Sequence, residues 1–167
     1  MNKKIHKNKT FIIFCDMDGV LCSWDSRVKE ILGDQFDTCS KSYKWAMITK
    51  YNNEVQPFYE TLNKMPDADN LWNFLTETFQ YVTILSAAGS TPRDAHIQKR
   101  NWLRKHFGEV NTIIVRDGGD KAKFANSRTI LIDDREKVLK PFREASGIGI
   151  LHTSAISTIN EIKELII

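Results

Sequence analysis

The sequence predicts an α/β fold, a parallel sheet with helices on both faces, and three observations carry that prediction. Short, mostly apolar runs of strand length recur at Phe11–Cys15, Tyr81–Leu85, Thr112–Val115, Thr129–Ile132 and Ile148–Leu151. From Tyr81 onward these runs alternate with helix-length segments, the pattern of crossover connections between parallel strands. Three of the runs end in polar residues, Asp16, Ser86 and Asp133-Asp134, at the strand carboxyl ends where open α/β sheets bind ligands.

Each element has its own signals. Phe11–Cys15 is apolar at every position, as in a strand buried on both faces, and Asp16-Met17-Asp18-Gly19 ends it. Trp24–Leu32 reads as a helix stopped by Gly33. Asp34–Ser42 is polar and irregular, and Tyr43–Tyr51 and Val55–Lys64 read as two short helices around Asn52-Asn53. Asp69 is placed to cap a helix reaching Phe79, with Leu71, Trp72 and Leu75 on its buried side. Thr91-Pro92-Arg93-Asp94 has the composition of a helix start, and that helix should run to Phe107 before Gly108. A short helical piece is expected at Lys121–Ala125, a helix at Glu136–Ser146 and a last one at Ser154–Ile166.

The 167 residues suffice for one domain with a real core and a small insertion. A content of 41% hydrophobic and 27% charged residues fits a soluble globular protein. The net charge of +3 is too mild to argue nucleic-acid binding. Asn2–Lys9, with four lysines, reads as a solvated, frayed tail, and the apolar run behind it is too short for a secretory leader. No stretch has the length of a transmembrane helix. Cys15, Cys22 and Cys39 show no paired spacing, which suggests reduced thiols and a cytoplasmic location.

The polar strand ends form the candidate site. Asp16 and Asp18 stand two apart, so both project to one side of the strand end. Two such carboxylates repel, and a hard divalent ion such as Mg²⁺ suits them. Ser86, then Lys121 or Lys123, then Asp133 and Asp134 complete a set of acids, a hydroxyl and an ammonium on one sheet edge. Taken singly, Ser86 and the aspartates read equally well as helix caps and the lysines as a solvated face. Together and in this order they form a metal-plus-phosphate inventory.

At these residues the sequence resembles the haloacid dehalogenase-like (HAD) phosphohydrolases. DMDGVL, ILS, a lysine ahead of the fourth strand, and ILIDD match that superfamily's four motifs along nearly the whole chain. DMDGVL, KRNWLRKHFG and LIDDR give the finer resemblance, to the 5′(3′)-deoxyribonucleotidases of bacterial and phage type. The resemblance implies a Rossmann-like core, residues 1–22 and 67–167, with a small helical cap, residues 23–66, inserted after the first strand. It implies Asp16 as the nucleophile that becomes an aspartyl-phosphate, and Asp18 as the general acid and base. Mg²⁺ would be bridged by the Asp16 carboxylate, the Asp18 carbonyl and Asp134, with Asp133 behind them. Ser86, Ala87 and a lysine would bind the phosphate. Lys121 is preferred to Lys123 because it stands at the start of its helical piece. Trp45, Tyr43 and Phe58 are cap aromatics able to stack a base, although most cap aromatics should form the cap's own core.

The expected activity is Mg²⁺-dependent hydrolysis of nucleoside monophosphates, in a chain that resembles frequent homodimers. Two alternatives stand beside it. One is a 3′-phosphatase on nucleic-acid ends, motivated by Arg93, Lys99, Arg100, Arg104 and Lys105 on one helix. The other is a HAD domain that has retired to ligand binding.

Overall fold

A computed structural model describes residues 7–166 of the chain. Five parallel strands form one sheet in the order β3-β2-β1-β4-β5. They are β1 (Asn8–Cys15), β2 (Phe79–Ala87), β3 (Thr112–Val115), β4 (Thr129–Asp133) and β5 (Ile148–Leu151). β1 is central, and its Cys15 stands opposite both Ile84 of β2 and Ile132 of β4. This register brings Asp16, Ser86 and Asp133 to one edge.

Alternation along the strands divides the core. Ile13, Cys15, Ile84, Ile130 and Ile132 face one side of the sheet. Phe14, Leu85 and Leu131 face the other, against Val138, Leu139 and Phe142 of α5 (Glu136–Glu144). The first cluster takes in α3 (Ala68–Thr78), α4 (Ala95–Phe107) and α6 (Ala155–Leu165). It continues without a break into Ile48, Phe58, Tyr59 and Leu62 of the segment between β1 and α3. That segment carries α1 (Trp24–Leu32), a 3-10 turn at Gly33–Gln35, and α2 (Lys41–Glu54). Its ends meet at a neck, where Cys22 bridges Lys64, Ser23 N–H donates to Asn63 O (2.9 Å) and Met65 N–H donates to Leu21 O (2.8 Å).

Four expectations are corrected. Val55–Lys64 is a run of turns and not a helix. Pro57 disfavours helical backbone before it, and its carbonyl is taken by the Thr61 hydroxyl at 2.7 Å. α2 is correspondingly longer than Tyr43–Tyr51, with Ser40 accepting from Tyr43 N–H at 3.2 Å as its cap. Thr91-Pro92 lies in a turn, and α4 begins at Ala95. Asp69 does not cap α3; it pairs with Lys64, while Asp67 at the cap position accepts from Ala155 N–H (2.6 Å) and ties α6 to α3. Of the basic tail, residues 2–6 lie outside the described residues, and Asn8 and Lys9 belong to β1. Among the described residues, no helix is long and apolar enough to cross a membrane.

Candidate active site

The site is built from the carboxyl end of β1 outward. Asp16 N–H still donates into the ladder, to Ile132 O at 2.9 Å. Its carboxylate is therefore aimed by the sheet, and it accepts from Met17 N–H at 2.7 Å. The chain then turns through Gly19 at φ +75°. A Cβ on Gly19 would stand 2.2 Å from an Asp134 oxygen, so only glycine lets this loop pass the end of β4. Asp18, a quarter exposed at its side chain, opens onto the cavity above.

Two lysines are wholly buried here. Lys121, on the 3-10 turn Gly118–Phe124, donates to Asp133 at 2.6 Å and stands 2.9 Å from Asp16 Oδ2. A reciprocal cap between Asp117 and Asp120 orients that turn. Lys123 points away, three-quarters exposed, and pairs with Asp120 at 2.7 Å. Lys99, from α4, donates to Asp18 Oδ2 at 2.6 Å and to Ser86 Oγ at 3.0 Å. Its ammonium lies 4.6 Å from the Tyr59 ring centroid.

The electrostatics follow from burial and neighbours. Burial pushes the Asp16 carboxyl up, but Lys121, Lys99 and Arg135 outweigh it and hold Asp16 below the ordinary range. Burial and the Asp16 charge raise Asp133. Burial, Asp16 and Asp133 push Asp134 up to about 7. One ionised carboxylate thus sits beside two that resist ionising.

A cavity of about 760 Å³ stands over these groups. Asp18 and Asp134 line it from below, Ala87 from the side, and Trp24, Trp45 and Tyr59 from the inserted segment. Trp24 and Trp45 lie 5.9 Å apart between ring centroids.

Residues 10–161 match the family model described as 5′ nucleotidase, deoxy (pyrimidine), cytosolic type C protein. The chain belongs to this nucleotidase family. No curated protein matches the chain in sequence. Solved structures similar to it include a HAD-superfamily hydrolase from Ehrlichia chaffeensis, at 14% identity and TM-score 0.57, covering 97% of this chain and 100% of that one. A hydrolase from Streptococcus pneumoniae TIGR4 aligns at 10% identity and TM-score 0.55, over 93% of this chain and 100% of that one. The D,D-heptose 1,7-bisphosphate phosphatase from Burkholderia thailandensis aligns at 8% identity and TM-score 0.52, over 92% and 98%. These likenesses show a shared fold. As a nucleotidase-family member with the HAD fold, the chain is a HAD-type phosphatase.

In this phosphatase the structure gathers Asp16, Asp18, Ser86, Lys121, Asp133 and Asp134 at one edge. It does not gather all the expected aromatics. Tyr43 is 43% exposed and does not line the cavity, because it lies on the outer side of α2. Phe58 is buried in an edge-to-face cluster with Trp24 and Tyr59. Trp24 and Tyr59 line the cavity instead, beside Trp45.

Lys99, grouped in sequence with Arg93, Arg100, Arg104 and Lys105, does not lie on a solvated basic face. It is 0% exposed. A signal was available: Ala95, Lys99, Trp102 and Leu103 fall at i, i+4, i+7 and i+8, all on the buried side of α4. A lysine on such a stripe needs a partner, and Asp18 and Ser86 are its partners.

The donor set fits a divalent cation. Oxygens of Asp16, Asp133 and Asp134 lie within 4.8 Å of one another. Asp133 is already engaged by Lys121 and by Arg135 N–H (3.0 Å), so Asp134 is the acid with most to gain from a cation. The sign of the pH effect is definite. The Asp134 value rises from 3.8 to about 7 on folding, so the metal-free protein should lose stability as pH rises from about 4 through 7. Mg²⁺ should restore it above pH 7 and do little at pH 5. Asp134 is a third exposed, so solvent screens much of this repulsion, and Asp134→Asn should melt no lower than wild type without metal at pH 8 and respond weakly to Mg²⁺. Calorimetry with and without metal measures both. A variant still stabilised by Mg²⁺ to the wild-type extent would remove Asp134 from the metal set.

Proposed function

We propose that this phosphatase is a Mg²⁺-dependent nucleotidase that hydrolyses deoxyribonucleoside monophosphates through an aspartyl-phosphate on Asp16. The observation that supports it most is the ionised, buried Asp16 beneath a cavity walled by Trp24, Trp45 and Tyr59. A base can stack on such walls, worth about 1–3 kcal/mol.

The chemistry follows from the positions. An Asp16 oxygen attacks phosphorus, forming the Asp16–phosphorus bond as the ester oxygen departs. Asp18 gives that oxygen its proton. It then takes a proton from the water that attacks the phosphoryl group and frees Asp16. Lys99 holds Asp18 and Ser86 together, so acid and hydroxyl keep one spacing through both steps. Lys121 offsets negative charge beside Asp16, and Ser86 offers a donor to the transferring group. Asp16, Asp134 and the Asp18 carbonyl would hold Mg²⁺, with Asp133 behind them. When bound, the ion neutralises charge between the anionic nucleophile and the anionic substrate.

The burial of Lys99 weakens the nucleic-acid reading, which had counted it among exposed cations. One panel tests the substrate class. With Mg²⁺, phosphate should be released faster from deoxyribonucleoside 5′-monophosphates than from sugar phosphates or a 3′-phosphorylated oligonucleotide. A preference for the oligonucleotide would move the function to end repair. A preference for a small sugar phosphate would leave the mechanism but remove the nucleotide. Silence from every member, with folded protein and metal present, would favour a binding module.

A further inference from the structure

The cavity has a second feature that hydrolysis of one phosphate does not use. It is lined by Lys41 and Lys44 from α2, and by Arg116 and Lys137 from the core. Among the described residues, Lys41, Lys44 and Lys137 have no carboxylate within ion-pair distance. Arg116 has only its neighbour Asp117, at 4.0 Å with both side chains exposed.

The acids lining the cavity are mostly committed. Asp18 holds Lys99, Asp134 lies 4.0 Å from Arg135, and Asp117 lies 4.0 Å from Arg116. Asp25 is left as the acid on these walls without such a partner. The lining holds five cations, Lys41, Lys44, Arg116, Arg135 and Lys137, against four acids, Asp18, Asp25, Asp117 and Asp134. Three of the cations are unpaired among the described residues, and like charges around one space favour an anion between them.

Lys44 is also held in place. Its ammonium lies 4.0 Å from the Phe36 ring centroid, and Lys29 approaches the same ring at 4.9 Å. A contact with an aromatic face restrains a lysine without neutralising it. The Lys44 charge is thus restrained at the cavity's margin, on Phe36, and is not neutralised. Trp24, Trp45 and Tyr59 line the same cavity, a seat for the body of a nucleoside.

We infer that these cations form a second phosphate subsite, and that the substrate is a nucleotide bearing phosphate at both ends of its sugar, a nucleoside 3′,5′-bisphosphate. The inference rests on the nucleotidase reading above. The phosphate to be cleaved sits at Asp16, the base and sugar lie along the aromatic wall, and the second phosphate meets Lys41 and Lys44. Arg116 and Lys137 face it from the core side.

The test compares kcat/KM for a deoxyribonucleoside 3′,5′-bisphosphate with kcat/KM for the corresponding 3′- and 5′-monophosphates. A 3′-phosphorylated oligonucleotide runs beside them. Wild type should prefer the bisphosphate by about tenfold or more. The preference should shrink as salt is raised, since these cations are partly exposed. In a Lys41→Gln, Lys44→Gln double variant the ratio should fall toward one. Circular dichroism checks that the variant is folded, and the ratio itself corrects for any loss of active protein. A wild-type ratio near one, with the monophosphates turned over, overturns the subsite and leaves the nucleotidase reading standing. A preference that survives in the double variant overturns the assignment to these lysines. Faster release from the oligonucleotide than from the bisphosphate makes these cations a track for a polymer and overturns the proposal. No release from any nucleotide overturns the reading on which it rests.

Discussion

Asp16→Asn is expected to abolish phosphate release while the protein stays folded. The substitution keeps the shape of a side chain that is 1% exposed and accepts from Met17 N–H. It removes the nucleophile, because an amide cannot form the acyl phosphate. It also removes the charge that Lys121, Lys99 and Arg135 favour on Asp16, so the metal-free variant should lose some stability while remaining folded. Two measurements suffice, phosphate release and intact mass after acid quench with substrate. Wild type should show the phosphorylated chain, and Asp16→Asn should not. Substantial turnover by folded, uncontaminated Asp16→Asn would place the nucleophile elsewhere.

Lys121→Ala is the second large effect, and it has two parts. Lys121 is the shared partner of Asp16 and Asp133, with all three side chains buried. Removing it strands buried acids, and losing one member of a buried pair costs about 3–5 kcal/mol. Removing charge stabilisation from the transferring phosphate should lower the rate by about 10²–10³. Lys123→Ala, two residues away on an exposed side chain, should change stability by less than about 0.5 kcal/mol. Denaturant titration reads the first part, and kcat on folded protein reads the second. An active, stable Lys121→Ala beside an inactive Lys123→Ala would reverse the choice between them.

The legibility of this site in sequence varied by residue, for physical reasons. Asp16 and Asp18 were readable because an apolar strand fixes where its carboxyl end lies, and a carboxylate there is conspicuous. Lys99 was not, since Arg100, Arg104 and Lys105 on the other sides of α4 make it look like one charge among many. Only its phase against Ala95, Trp102 and Leu103 sets it apart. The cap aromatics were ambiguous because local pattern does not say which ring meets the cavity. Tyr59 N–H is held by Gln98 Oε1 at 2.8 Å, a contact between residues 39 positions apart that no window of sequence contains. Val55–Lys64 failed for the opposite reason. It reads as a short helix after Asn52-Asn53, while Pro57 and the Asn52 side chain bonded to Phe58 N–H (2.9 Å) set turns.

The neck at Leu21–Ser23 and Asn63–Met65 has an evolutionary consequence. Its two backbone bonds and the Cys22–Lys64 bridge bring the ends of the intervening segment together beside the sheet's carboxyl edge. Closing a loop costs entropy that grows only slowly with its length, and here the closure is made by backbone groups rather than particular side chains. The parts of that stretch outside the shared core of Ile48, Phe58, Tyr59 and Leu62 can therefore lengthen, shorten or be exchanged with little disturbance to β1. A module hung on such a hinge-pin is free to diverge, and the chemistry beneath it can be handed a new substrate without being rebuilt.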